Sequence, residues 1–84
     1  MGTDMAGAVE ETVIAVFQQV FKNKGLAPPQ LNARTPLDGS LGLESIDFAE
    51  VVLRLEECFG VDPFANGVPA NLRTLGDLAA LYSR

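Results

Sequence analysis

Prolines and glycines crowd residues 25–44, and they limit the fold more than any other feature of this sequence. Proline lacks a backbone N–H and collides with the preceding helical turn, and glycine favours turns over helix. No continuous helix can therefore run through this segment, which we expect to be an ordered loop with one helical turn near residues 36–40. Leucines along the loop predict that it is held against a core. These residues are Gly25, Pro28, Pro29, Pro36, Gly39 and Gly42, with Leu26, Leu31, Leu37, Leu41 and Leu43 as the leucines.

Apolar residues recur at helical spacing on both sides of this loop. The patterns predict helices at residues 4–23 and 45–59, a short helix at residues 62–67 and a last helix from Thr74 onward. No segment alternates convincingly like a strand, so the predicted fold is all-α, a small bundle of three main helices plus one short helix. The expected inner faces are Val9, Val13, Val16, Phe17 and Val20 in the first helix, Phe48, Val51, Val52, Leu55 and Phe59 in the second, and Leu75, Leu78, Ala79 and Tyr82 in the last.

An excess of acidic side chains narrows the range of partners. The 84 residues include eleven Asp and Glu against six Lys and Arg, which gives a formal net charge of −5. Because binding to a phosphate backbone requires a basic patch, this balance argues against nucleic acid and favours partners with basic docking surfaces. The length suits a single domain, residues 1–84, which we expect to be a monomer.

The chain has one cysteine, Cys58, and no histidine. A lone cysteine cannot form an internal disulfide, which fits a reducing compartment, and zinc sites built from Cys and His clusters are excluded. We expect Cys58 to be half-buried at the edge of the second helix's inner face. No apolar run reaches the length of a membrane span, and the N-terminus lacks the pattern of a signal peptide. These features predict a cytoplasmic protein with no metal site and no membrane association.

The second predicted helix carries apolar residues on the side away from its inner face. We call this side the outward face; it consists of Ile46, Glu50, Leu53 and Glu57, with Asp47 and Arg54 beside it. Single exposed apolar residues are ordinary on protein surfaces, so one interpretation gives this face no function. The other interpretation is a docking surface, on which two aliphatic side chains supply contact area and the acids orient a basic partner.

Ser45 stands where the second helix should begin, and serine is a common residue at helix starts. A catalytic role would require a base and an oxyanion hole. The chain has no histidine, and Lys22 and Lys24 are predicted at the far end of another helix. We therefore predict no catalytic residue in this chain. If the Ser45 hydroxyl reacts, another protein must supply the base.

Residues 41–64, LGLESIDFAEVVLRLEECFGVDPF, resemble the acyl carrier protein family. That family has a D-S-L motif at the start of its second helix and an acidic helix ending in E-E-x-F-G, and the whole chain matches its outline. The resemblance implies a four-helix carrier bundle without enzyme activity. It implies that a phosphopantetheinyl transferase attaches 4′-phosphopantetheine from coenzyme A to Ser45. The thiol of that arm would hold an acyl group as a thioester for partner enzymes of fatty-acid, polyketide or related biosynthesis.

The resemblance also implies a recognition surface, and this sequence departs from the family there. Glu44 replaces the usual Asp, Ile46 replaces Leu, and Arg54 places a positive charge on a helix that is acidic in many relatives. These departures suggest a specialised set of acyl-activating and acyl-transferring partners. The implied partner-binding residues are Glu44, Ile46, Asp47, Glu50, Leu53, Arg54 and Glu57.

Two alternatives to a free-standing acyl carrier remain open at the level of sequence. Within the family, the chain could be an aminoacyl or peptidyl carrier that an amino-acid-activating ligase loads. The acidic Glu44 favours an acyl cargo without deciding it, because amino-acid carriers often have a basic or neutral residue at this position. In another class, the chain could be an unmodified helical interaction module that binds through Ile46 and Leu53.

Overall fold

A computed structural model describes residues 5–65, 67 and 72–82 of the chain. Its elements, in chain order, are α1 (Met5–Asn23), a 3₁₀ turn (Gly39–Leu41), α2 (Ser45–Phe59) and α3 (Leu75–Tyr82). No strand occurs in these residues; Pro36 and Thr74 form an isolated antiparallel bridge. The all-α prediction is confirmed, and the bounds of α1 and α2 agree closely with those expected from apolar spacing.

The core lies where the apolar faces of the three helices meet. Every residue predicted for the inner faces of α1 and α3 is buried, and Val13 and Phe17 are fully enclosed. In α2, Val51 and Leu55 are buried, and Phe48 lies at the edge of the core, 6.3 Å from Phe17 between ring centroids in an edge-on arrangement. Each large apolar side chain buried in this way stabilises the fold by about 1.5–3 kcal/mol relative to its exposed state.

Gly25 ends α1, as the sequence predicted. Its φ of 76° lies in the left-handed region, which favours glycine. The N–H of Gly25 donates to the Lys22 carbonyl at 3.0 Å, and the N–H of Leu26 donates to the Phe21 carbonyl at 2.9 Å. These two bonds are those of a Schellman motif, which satisfies carbonyl groups left free at the end of the helix.

The long loop is attached to the start of α3 through its backbone. Three hydrogen bonds make this attachment: Leu75 N–H to the Thr35 carbonyl at 2.8 Å, Gly76 N–H to the Ala33 carbonyl at 2.9 Å, and Leu37 N–H to the Arg73 carbonyl at 2.9 Å. Gly76 permits this close approach, because a Cβ at that position would lie 2.9 Å from the Ala33 carbonyl oxygen. The loop is therefore ordered, as predicted.

The leucines of the loop contribute unequally to this order. Leu31 and Leu43 are buried, and Leu37 and Leu41 are partly buried against the core. Leu26 is 45% exposed, so its predicted role as an anchor is wrong.

The short helix predicted at residues 62–67 is absent from the part of that segment that the structure describes. Residues 63–65 form a turn, in which Asp62 accepts hydrogen bonds at its carboxylate from Phe64 N–H (3.1 Å) and at its carbonyl from Ala65 N–H (3.3 Å). Asp62 caps this segment, but in residues 63–65 the backbone makes a turn and no α-helix. The short helical element lies earlier, at Gly39–Leu41, near the predicted turn in the loop.

Candidate functional site

The first turn of α2 presents Ser45 to solvent. Ser45 is the first residue of the helix and is exposed, and its hydroxyl makes no hydrogen bond to any described residue. The N-cap is Glu44, which is extended and whose carbonyl accepts the first helical N–H groups, from Asp47 at 3.0 Å and Phe48 at 3.1 Å. Ser45 is therefore not the N-cap that its residue type suggested. Its hydroxyl oxygen makes no hydrogen bond within the described chain.

Asp47 supports this turn from within. Its residue surface is 8% exposed, and its Oδ2 atom accepts from the Glu44 N–H at 2.8 Å and from the Lys24 Nζ at 2.6 Å. The hydrogen bond from the Lys24 ammonium, followed by that from Glu44, holds the pKa of the Asp47 carboxyl below its ordinary value. The same contact raises the pKa of Lys24.

One expectation about this region is corrected, and another stays a prediction. The resemblance placed Asp47 among the partner-binding residues; its carboxylate accepts hydrogen bonds from Lys24 and Glu44 within the fold, and its docking role remains a prediction. The sequence also placed Lys24 away from Ser45, at the far end of another helix. The C-terminal end of α1 instead meets the N-terminal turn of α2, because the two helices pack antiparallel. Sequence reasoning missed Lys24, and the only signal was a basic residue beside the glycine that ends α1.

The outward face of α2 is exposed as the sequence predicted. Ile46 is 73% exposed and Leu53 is 58% exposed, which makes them the two most exposed large apolar side chains in the described chain. Between them, Arg54 Nε donates to Glu50 Oε2 at 3.0 Å across one helical turn. Glu57 is exposed at the far end of the face. Within the described residues, the face therefore combines two exposed apolar side chains, one ion pair and one acid, Glu57, that has no ion-pair partner.

A groove borders α2 on one side, and a small cavity borders it on the other. The groove has a volume of about 350 Å³ and lies at the surface between α1 and α2. It is lined by Thr12, Ala15, Val16, Gln19, Arg54, Glu57 and Cys58. A smaller cavity of about 140 Å³ lies between α2, the long loop and α3, and is lined by Leu37, Phe48, Val51, Val52, Phe64, Leu72 and Leu78. Cys58 is exposed in the groove, so its predicted half-burial is wrong. Sequence reasoning missed the apolar cavity, because its wall combines residues from the long loop, from α2, from the segment between α2 and α3, and from α3.

The lining of the cavity contains no titratable side chain. In the described residues, no group of three or more His, Cys, Asp or Glu side chains is arranged to hold a metal ion. The described surroundings of Ser45 thus supply an accessible hydroxyl on a turn that hydrogen bonds between Glu44 and Asp47 hold. They do not supply a base hydrogen-bonded to that hydroxyl, which nucleophilic catalysis within the chain would require.

Comparison with known proteins shows the family to which this chain belongs. A family model described as "Phosphopantetheine attachment site" matches residues 11–82. The chain belongs to this family. Its members are carriers and not catalysts, and 4′-phosphopantetheine is their covalently attached cofactor. The carrier role implies modification by a phosphopantetheinyl transferase and exchange with partner enzymes.

A solved structure is similar to this carrier domain over nearly its whole length. It is the solution structure of MacpD, an acyl carrier protein from Pseudomonas fluorescens involved in mupirocin biosynthesis. The two chains are 30% identical and superpose with a TM-score of 0.83, covering 99% of this chain and 81% of MacpD. A comparison with curated proteins gave no match. Among the described helices of the carrier domain, none has the length and apolar character needed to cross a membrane.

Proposed function

We propose that the carrier domain holds acyl intermediates as thioesters on a 4′-phosphopantetheine arm attached to Ser45 Oγ, and delivers them to enzymes of polyketide, fatty-acid or related biosynthesis. The exposed and unengaged hydroxyl of Ser45 in the first turn of α2 carries this proposal, within a family defined by phosphopantetheine attachment. Similarity to MacpD, an acyl carrier protein, supports an acyl cargo over an amino acid.

The other serine in the described residues is less suited to modification. Ser40 lies in the 3₁₀ turn, where its hydroxyl donates to the Asp38 carboxylate and its N–H donates to the same oxygen. Modification of Ser40 would break this contact and place a phosphate beside a carboxylate. At Ser45, the oxygen is free and the neighbouring N–H groups at the helix start favour a negative charge.

Attachment requires a Ser45 oxygen–phosphorus bond in exchange for the hydroxyl proton. The oxygen attacks the phosphorus that bears the pantetheine arm in coenzyme A, the bond from that phosphorus to the nucleotide portion breaks, and the nucleotide leaves. The proton passes to a base of the transferase, because no described group of this chain is hydrogen-bonded to the Ser45 hydroxyl. The carrier domain contributes an accessible oxygen on a helix start whose geometry is held by Glu44 and Asp47.

Intact-protein mass spectrometry tests the attachment site. Incubation with coenzyme A and a phosphopantetheinyl transferase of broad specificity should add one phosphopantetheine to the wild type and none to Ser45→Ala. Ser40→Ala is the matched control and should be modified like the wild type. An unmodified wild type would favour the unmodified interaction module, and an adduct that persists in Ser45→Ala would reject Ser45. Loading of the modified protein by acyl-transferring or amino-acid-activating enzymes then separates the two kinds of carrier.

We also propose that partners dock on the outward face of α2. The exposed Ile46 and Leu53 provide apolar contact, and Glu57 and Glu44 attract basic groups of the partner. Arg54 adds specificity, because only its Nε is bonded within the described chain and its terminal N–H groups remain available at the rim of the α1–α2 groove. A suitable partner therefore presents basic side chains and an acidic side chain that reaches Arg54.

We further propose that residues 1–84 form one carrier domain, which acts as a monomer in the cytoplasm. The described apolar residues form a single core cluster, which supports one folding unit. The exposed thiol of Cys58 suits a reducing compartment, because free thiols persist there.

A further inference from the structure

The ion pair between Lys24 and Asp47 differs from the other side-chain contacts of the described chain. Most of the other side-chain hydrogen bonds between described residues join positions at most four apart in the sequence. The bond from Lys24 Nζ to Asp47 Oδ2, at 2.6 Å, spans 23 positions. It therefore links the end of α1 to the start of α2 across the whole of the long loop.

The Asp47 end of this link bears directly on the turn that contains Ser45. The oxygen that accepts from Lys24 also accepts from the Glu44 N–H, at 2.8 Å. Ser45 lies between these two residues in sequence, so its backbone is held on both sides. The Glu44 carbonyl, which receives the first helical N–H groups, belongs to the same turn. We call these contacts among Lys24, Asp47 and Glu44 the clamp.

The Lys24 end of the clamp is itself fixed. Lys24 is the last residue before Gly25, and its N–H donates to the carbonyl groups of Val20 at 3.2 Å and Phe21 at 3.1 Å. Its side chain is 31% exposed, and that of Asp47 is 12% exposed, so the contact is partly shielded from solvent. Shielding matters because ion pairs that are fully exposed to water contribute little.

The clamp also changes the charge near the modified oxygen. Glu44 and Asp47 flank Ser45, and attachment of the arm adds a phosphodiester with its own negative charge. Lys24 offsets the charge of Asp47 and therefore reduces repulsion of the incoming phosphate. Both effects, a fixed turn and a smaller local negative charge, act on the same reaction.

We propose that Lys24 is a positioning residue for modification of Ser45: through Asp47 it holds the first turn of α2 in the geometry that the transferase recognises. This inference rests on the proposed attachment at Ser45. It does not assign Lys24 any contact with coenzyme A.

Steady-state kinetics of phosphopantetheine transfer test the proposal with three variants of the full chain. Lys24→Met removes the charge and keeps the aliphatic stem, Lys24→Arg keeps a charged donor, and Lys22→Met removes an equal charge from a neighbouring exposed residue. Lys24→Met should lower kcat/KM by about two- to fivefold, the range expected from loss of a partly exposed ion pair. Lys24→Arg should restore most of the rate, and Lys22→Met should match the wild type. Circular dichroism and thermal melts should show each variant folded at the assay temperature.

Asp47→Asn provides an independent test of the clamp. The new amide oxygen can still accept a hydrogen bond from the Glu44 N–H, but the negative charge is lost. If the clamp acts as a unit, Lys24→Met combined with Asp47→Asn should be no slower than the slower single variant. A wild-type rate for Lys24→Met overturns the proposal, as does an equal loss for Lys22→Met or an additive double variant. If the wild type itself is not modified, attachment at Ser45 fails and this inference fails with it. If the wild type is modified at Ser45 but Lys24 has no effect, only this inference fails.

Discussion

Tyr82, at the end of α3, is only 7% exposed, and its hydroxyl has no hydrogen-bond partner in the described chain. Its ring lies against Phe59, with centroids 5.3 Å apart. Burial, followed by the charges of Glu56 and Asp62, raises the pKa of Tyr82 from 10.0 to about 12. Burial and the nearby Asp62 also raise the pKa of Glu56. The end of α2 and the turn after it thus place two acids near a buried phenol.

We predict that the Tyr82 hydroxyl loses its proton at a pH above the ordinary range for tyrosine, and that the protein unfolds at the same pH. Because its pKa in the fold exceeds the ordinary value, the neutral phenol favours the folded state below pH 10, and this contribution is lost as the pH rises toward 12. The chain has one Tyr and no Trp, so tyrosinate absorbance reports this residue alone. Absorbance and circular dichroism should change at the same alkaline pH.

Two variants make the tyrosine prediction specific. Glu56→Gln removes a nearby charge and should lower the titration midpoint of Tyr82, whereas Glu57→Gln should leave it unchanged. A midpoint near 10 while the helices remain intact would contradict the burial and charge effects assigned to Tyr82.

At the scale of elements, the loop and α3 depend on each other. The loop has no regular structure of its own apart from the 3₁₀ turn, and three of its backbone groups bond to residues at or just before the start of α3. Thr74 and Asp77 cap that helix reciprocally: Thr74 N–H donates to the Asp77 carboxylate at 3.0 Å, and Asp77 N–H donates to Thr74 Oγ1 at 3.2 Å. The sequence predicted that this helix begins near Thr74, but it did not predict that the loop would dock beside it.

We predict that Gly76→Ala destabilises the fold, although alanine is the better helix former. The new Cβ would meet the Ala33 carbonyl oxygen at 2.9 Å, and relieving this overlap requires the loop to move away from α3. The cost should be about 1–3 kcal/mol, as for other overpacked sites. Urea unfolding followed by circular dichroism measures it. Gly39→Ala is the control, because its Cβ would meet no atom within 4 Å; equal midpoints for the two variants would contradict the prediction.

At the scale of the whole molecule, charge and apolar contact are distributed unevenly. The chain has a net charge of −5, and α2 places Glu50 and Glu57 beside the exposed Ile46 and Leu53. On the opposite side of α2, the small apolar cavity faces the loop and α3. The proposed docking surface is therefore separate from the cavity, and a partner can contact one without displacing the residues that line the other.

We predict that Glu57→Lys slows phosphopantetheine transfer at low salt without changing helicity. Loss of an acid and gain of a base weaken attraction to a basic partner, and the difference from wild type should shrink as salt screens these charges. Transfer kinetics over a range of ionic strength measure the effect. Glu11→Lys makes the same charge change at an exposed residue of α1 that is not part of the outward face. If both variants slow transfer equally, net charge governs the rate and the proposed docking surface is not supported.

The local sequence pattern was sufficient to predict those features of this protein that depend on residues close together in the sequence. Helical spacing predicted α1, α2 and α3 with their buried faces, glycine chemistry predicted the end of α1, and the short motif around Ser45 identified the family that the comparisons confirm. Exposure of Ile46 and Leu53 followed from the same spacing, because the opposite side of α2 had to face the core. The attachment at Ser45 and the docking role remain proposals.

Tertiary structure decided the features that join distant parts of the chain. Lys24 and Asp47 are 23 positions apart, and only the antiparallel packing of α1 and α2 brings an ammonium group onto that carboxylate. The same packing withdraws Asp47 from the surface, and the docking of the loop against α3 and α2 completes the lining of the apolar cavity. Residue type and spacing show which side of each helix is apolar. They do not show which residues of another segment cover it, because that depends on how the helices cross and where the loop docks.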